Sequence, residues 1–114
     1  MKKINIIKKQ NEIASIIKNG KQYKNRYYFV YELYNKENKY HRFCICVSKK
    51  LGNAVNRNKN KRQIKDIIDK SNFVFSSKND YVIILRKEIS NISYEEKKKY
   101  LLEILCKLRG EKDE

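Results

Sequence analysis

Val47–Asp66, VSKKLGNAVNRNKNKRQIKD, holds a strand end, a turn and a helix start in succession. Gly52-Asn53 marks the turn, because both residue types tolerate the backbone angles that turns demand. From about Ala54 to Lys70, Ile64, Ile67 and Ile68 recur at helical spacing and predict a helix. With Ile64 at 0° on a wheel of about 100° per residue, Ile67 falls near −60° and Ile68 near +40°. Lys61, Lys65, Asn58 and Arg62 then fall at roughly 60°, 100°, 120° and 160°. Three cations and an amide thus share one arc beside the buried stripe. Arg57 projects toward the apolar side of the wheel, which places it in the first turn, reaching outward from the helix start. Phosphates are bound by charges at such intervals, and guanidinium forks bind them bidentately. Asn adds a donor and an acceptor for sugar or base edges, and a helix start offers free N–H groups to an anion. A merely solvated face would carry interleaved acids. Between Ser48 and Lys65 there are none.

The whole chain is rich in Lys, Asn and Ile, so a basic run alone proves little. The distribution of charge is more telling than its total of +15. Residues 1–27 carry eight basic residues and one acid, and residues 48–65 carry seven basic residues and no acid. Residues 28–47 sum to +1, and residues 66–114 hold ten of each sign. The excess lies entirely in the first 65 residues, which predicts a one-sided basic surface for a polyanion, RNA or DNA ahead of a membrane.

Outward from the opening stretch, YHRFCICVS (40–48) alternates, with Phe43, Ile45 and Val47 on one face and Arg42, Cys44 and Cys46 on the other. RYYFVYELY (26–34) is aromatic and β-branched enough for a strand, and NKEN (35–38) makes a turn. The two read as neighbouring antiparallel strands with one buried face, with room for a third strand within 26–48. NEIASIIKNG (11–20) reads as a short helix with Ile13, Ile16 and Ile17 together and a stop at Asn19-Gly20. After the turn SSKND (76–80), YVIILR (81–86) is apolar enough for a central strand. In SYEEKKKYLLEILCKLRG (93–110), Ser93 and Glu96 predict a capping box. Tyr94, Leu101, Ile104, Leu105 and Leu108 share a face of that helix, and Gly110 ends it. The order is α-β-β-(β)-α-β-α: an α+β sandwich forming one domain over 1–114, without internal repeat or linker.

No apolar stretch reaches the roughly 18 residues of a membrane span, and the N-terminal apolar run is broken by polar residues, so the expected compartment is the cytoplasm. Cys44, Cys46 and Cys106 lack a second pair at zinc-site spacing and read as inert, partly buried thiols. His41 is the sole histidine and reads as structural or solvated. The basic half contains only Glu12, Glu32 and Glu37, in three separate segments. Metal-assisted phosphodiester cleavage needs clustered carboxylates, so intrinsic nuclease chemistry is not expected, and no protein metal ligands are assigned.

VSKKLGNAVNRNKNKRQIKD closely resembles the signature of the bacterial ribonuclease P protein subunit: a V-S-K-K strand end, G-x-A-V, then an R-N-R-x-K-R helix start. Residues 11–31 resemble that family's first helix and strand, and residues 80–105 its last strand and helix. The resemblance implies a ribonucleoprotein endoribonuclease that removes the 5′ leader from precursor tRNA. Its RNA subunit performs the hydrolysis with Mg2+, and the protein assists without catalytic residues or an organic cofactor. It also implies an α-β sandwich with a left-handed β-α-β crossover, an exception to the usual rule. Arg57, Asn58, Lys59, Lys61, Arg62 and Lys65 would face the catalytic RNA, with Lys49 and Lys50 adding phosphate contacts. A cleft between the first helix and the sheet would hold the single-stranded leader at Ile13, Ile17 and Tyr31, with Ser48 and Tyr28 nearby. Two departures stand out: Ile13 and Ile17 replace the family's usual Phe, and Lys59 replaces Arg, losing one guanidinium fork. The alternative is a ribosome-associated RNA-binding protein without catalysis.

Overall fold

Ile13 and Ile16 bury one face of α1 (Gln10–Asn19) in the computed structural model, which describes residues 6–71 and 75–108. The helix ends at Gly20, where a Cβ would lie 2.5 Å from the Ile16 carbonyl oxygen and 2.9 Å from that of Glu32. Only glycine permits that approach to the sheet. β1 (Lys21–Lys24) and β2 (Tyr28–Tyr34) follow as a hairpin, closed by Asn25 Oδ1 accepting from the N–H groups of Tyr27 and Tyr28. Next come β3 (Arg42–Val47), a 3-10 turn Lys49–Leu51, α2 (Ala54–Lys70) and β4 (Asn79–Leu85). A second 3-10 turn, Lys87–Asn91, leads to α3 (Tyr94–Leu108). Glu96 N–H donates to Ser93 Oγ, and Ser93 N–H donates to Glu96 Oε1, both at 3.2 Å, so the expected capping box is formed. Gly110 lies outside the described residues. No helix among the described residues is long and apolar enough to cross a membrane.

The sheet order is β1-β2-β4-β3. β4 pairs antiparallel with β2 and parallel with β3, Val47 standing opposite Leu85 and Arg42 opposite Asp80. Parallel neighbours require a long crossover, and α2 is that crossover.

Three expectations are corrected. β2 and β3 are not neighbours, because the more apolar β4 takes the central position between them. The extra strand lies at Lys21–Lys24, upstream of 26–48, where a polar edge strand shows no alternation of burial. Both sheet faces are covered, not one. Tyr28, Val30, Phe43, Ile45, Tyr81, Ile83 and Leu85 pack under Ile64, Ile67 and Ile68 of α2 and Leu101, Ile104 and Leu105 of α3. On the opposite side Val82 packs with Ile7, Ile13 and Ile16. Burial of such side chains contributes on the order of 1.5–3 kcal/mol each, before the cost of ordering them. His41 is structural, its ring lying 5.2 Å from Phe43 and 5.3 Å from Phe75.

Candidate nucleic-acid interface

α2 begins at a polar, acid-free turn. Gly52 has φ +102°, a left-handed conformation suited to glycine. Asn53 caps the helix, its Oδ1 accepting from Asn56 N–H at 2.9 Å. No acid occupies the first turn, so its positive dipole end is left for an anion. Asn58, Lys59 and Arg62 are exposed, while Lys61 and Lys65 are half-buried beside the apolar stripe. No ion pair with a described carboxylate holds Lys59, Lys61 or Arg62. Lys50 is exposed in the preceding turn, and Lys49 is described in its backbone only.

Arg57 departs from expectation. It sits in the first turn, yet its Nε is shielded from solvent and has no hydrogen-bond partner among the described residues. The side chain lines a recess of about 250 Å³ with Ile45, Val47, Asn58 and Lys61. Packing against the end of β3 draws it inward, as its wheel position on the apolar side requires.

Beneath the cationic arc, α2 is anchored by a polar contact that reads as surface in the sequence. Lys97 of α3 is buried, its Nζ donating to Asn60 Oδ1 at 2.8 Å and Gln63 Oε1 at 2.6 Å. Burial lowers its pKa, and the charge of Lys59 adds to the effect. Lys97→Met leaves two amide oxygens without their donor. It is expected to lower stability by about 1–3 kcal/mol, read from chemical denaturation.

The second candidate surface lies between α1 and the sheet. On this side Cys44, Val82, Tyr31 and Gln22 form one row across the strands, and Cys46, Ile84, Phe29 and Lys24 the next. α1 covers Val82 of the first row, while Phe29, Ile84 and Cys46 of the second stay half-exposed as an open strip of sheet beside α1. Ile17 is 36% exposed beside it. The Tyr31 hydroxyl accepts from Gln22 Nε2 at 2.7 Å, and Ser48 Oγ accepts from Lys50 N–H at 3.1 Å. Ile13, expected in the cleft, is instead core, because it faces down onto Val82. Tyr28 is excluded from this surface. Alternation turns it to the other face, where it is fully buried and its hydroxyl donates to the Lys97 carbonyl oxygen at 2.8 Å. Phe29 and Arg86, whose guanidinium lies 4.6 Å from the Phe29 ring centroid, were not expected here. The period of two that places Tyr31 would also have placed Phe29.

α1 is set on the sheet by a charged clamp. Arg42 Nε and Nη2 each donate at 2.8 Å to the two oxygens of Asp80, and Nη1 reaches Glu12 of α1 at 3.4 Å. Asn38 and Asn35 also donate to Asp80. Burial pushes the Asp80 carboxyl upward, but the donors from Arg42, Asn38 and Asn35 outweigh it and hold it below the usual value.

The family model for ribonuclease P matches residues 1–109. The chain belongs to this family. The ribonuclease P protein component of Bacillus cereus strain 03BB102 is 42% identical over 104 residues, covering 91% of this chain and 90% of the relative. That of Streptococcus pneumoniae serotype 4 is 40% identical over 105 residues, covering 92% and 85%. A Staphylococcus aureus RNase P protein structure superimposes with TM-score 0.81 at 34% identity, over 89% of this chain and 92% of the other. The RNase P protein from Thermotoga maritima gives 0.76 at 30% identity, over 87% and 93%. The function is the family's: a protein component of the ribonucleoprotein that processes tRNA 5′ ends.

Proposed function

We propose that the α2 surface binds the catalytic RNA of ribonuclease P and that the groove beside α1 receives the single-stranded 5′ leader of precursor tRNA. The observation that carries this reading is the cationic arc: Lys59, Lys61 and Arg62 without an ion pair to any described carboxylate, at the start of a helix with no acid in its first turn. Phosphates supply the missing counter-charge, and the contact lowers repulsion between enzyme RNA and substrate RNA. In the groove, Tyr31 and Phe29 offer aromatic faces to unstacked bases, with Ile17 as an apolar wall and Ser48 at its end. Arg57 supports the arc from beneath, while Asn58, Lys50 and Lys65 extend it. Lys49, Ile13 and Tyr28 have no contact assigned to RNA in this reading.

Mg2+ prefers oxygen ligands in octahedral array. The α2 face presents cations and amides, and among the described residues no three His, Cys, Asp or Glu side chains are grouped to hold an ion. In this reading Mg2+ is held chiefly by the RNA subunit and the substrate, where the hydrolysis occurs. The chain contributes binding and positioning, in the cytoplasm, without catalytic residues of its own. Reconstitution tests this: precursor tRNA is incubated in Mg2+ with protein alone, cognate RNA alone, and both. The expected result is no cleavage by protein alone and stimulation of the RNA at low Mg2+. Cleavage by protein alone overturns the reading, and absence of stimulation favours a ribosome-associated role.

A further inference from the structure

Cys44 and Cys46 stand two residues apart on β3, and both side chains turn to the α1 side of the sheet. Their Sγ atoms are 3.6 Å apart, within reach of an S–H···S hydrogen bond. Both are half-buried, and Cys46 is level with Ile84 in the open strip of sheet beside α1. The Lys61 ammonium of α2 acts on both sulfurs. A thiolate here is thus supported by a neighbouring S–H and by the positive charge of Lys61. Position selects Cys46: it stands opposite the half-exposed Ile84, whereas Cys44 stands opposite Val82, which α1 covers. The hydrogen bond between the two sulfurs and the charge of Lys61 pull the Cys46 thiol down against burial.

Two chemistries suit a close dithiol. The spacing would admit a tetrahedral ion with bonds of about 2.3 Å. However, no third ligand is grouped with the pair among the described residues, and Lys61 in a chain of net charge +15 repels a cation. The same positive surroundings favour a thiolate and an anionic reagent. We propose that Cys46 is a thiol–disulfide exchange site on the groove floor, taking an anionic low-molecular-weight disulfide, and that the mixed disulfide blocks the leader path. The Cys46 thiolate attacks one sulfur of the reagent and the reagent's S–S bond breaks. The departing thiolate takes a proton from solvent. Excess free thiol reverses the step. The blocking of the leader rests on the groove reading above; the exchange itself does not.

The test uses the full reduced chain with oxidised glutathione, and with cystamine as the cationic counterpart, followed by peptide mass mapping. The adduct is expected at Cys46 about tenfold faster than at the exposed Cys106, with glutathione disulfide preferred. Cys44→Ala, which removes the S–H partner and leaves no donor in its place, slows it. Faster reaction at Cys106, or equal rates with both disulfides, overturns the site. The modified protein is then assembled with catalytic RNA and titrated with precursor tRNA. Weaker binding, restored by dithiothreitol, is expected; unchanged binding with Cys46 fully modified overturns the blocking while leaving the exchange site standing.

Discussion

Lys59→Ala combined with Arg62→Ala is expected to weaken binding to the catalytic RNA by about 10–100-fold near physiological salt. Both side chains are exposed and neither is tied to a described carboxylate, so removing them costs the fold little. Thermal stability should stay within about 0.5 kcal/mol of the parent chain. The diagnostic quantity is the slope of log affinity against log salt. Two lost phosphate contacts reduce its magnitude by about two, because fewer counterions are released. A smaller affinity with an unchanged slope would mean that the arc meets something other than phosphate. Restoring Arg at position 59 tests the family departure in the other direction: Lys59→Arg should tighten binding where a fork replaces a point charge.

Asp80→Ala acts on the fold instead. Asp80 is 3% exposed and receives four hydrogen bonds, two of them from Arg42. Its removal leaves an Arg42 side chain only 23% exposed without its main partner, although Glu12 remains at 3.4 Å. The expected loss is about 2–4 kcal/mol, below that of a fully buried pair because Arg42 keeps some solvent and one other acid. The pH dependence has a definite sign. The Asp80 pKa lies lower in the folded state than in the unfolded chain, so the unfolded chain binds the proton more readily. Its stabilisation is complete well above the ordinary Asp value of about 3.9 and is lost as pH falls through that value toward the folded one. Asp80→Ala should therefore flatten the acid limb of the stability profile and leave its neutral-to-alkaline shape intact. Since Arg42 also joins α1 to the sheet, the variant should loosen the groove as well.

Much of this architecture is legible in the chain because single residue types force it. Asn53, Gly52 and the spacing of Ile64, Ile67 and Ile68 define α2 at Ala54–Lys70. Ser93 and Glu96 define the start of α3. Pairing partners were less accessible, since alternation shows which face of a strand is buried but not which strand lies beside it. β3 and β4 are separated by a whole helix, and only the three-dimensional crossover makes them neighbours. The short strand Lys21–Lys24 is silent because a polar edge has no buried face to announce. At the site, charge without acids marks an arc whose Asn58, Lys59 and Arg62 are exposed in the structure. Arg57, read as reaching outward from the first turn, is half-buried with its Nε shielded from solvent, in line with its wheel position on the apolar side. Tyr28 illustrates the same lesson on a strand: its parity with Val30 puts it under α3, opposite Tyr31. Asn60 and Lys97 are not legible in the sequence, because buried polar pairs look like surface until their partner is known.

In the proposed function two surfaces of the protein are separate, one for enzyme RNA and the other for the leader. The measurement that tests it most directly is the ratio of precursor to mature tRNA affinity in the reconstituted enzyme, compared between Tyr31→Ala and Lys59→Ala/Arg62→Ala at saturating protein. Loss of one stacking face in the groove should weaken precursor binding by about 1–3 kcal/mol and leave mature tRNA binding nearly unchanged. The α2 variant, once assembled, should keep the ratio. Equal losses for precursor and mature tRNA on Tyr31→Ala would contradict the groove as the leader's site.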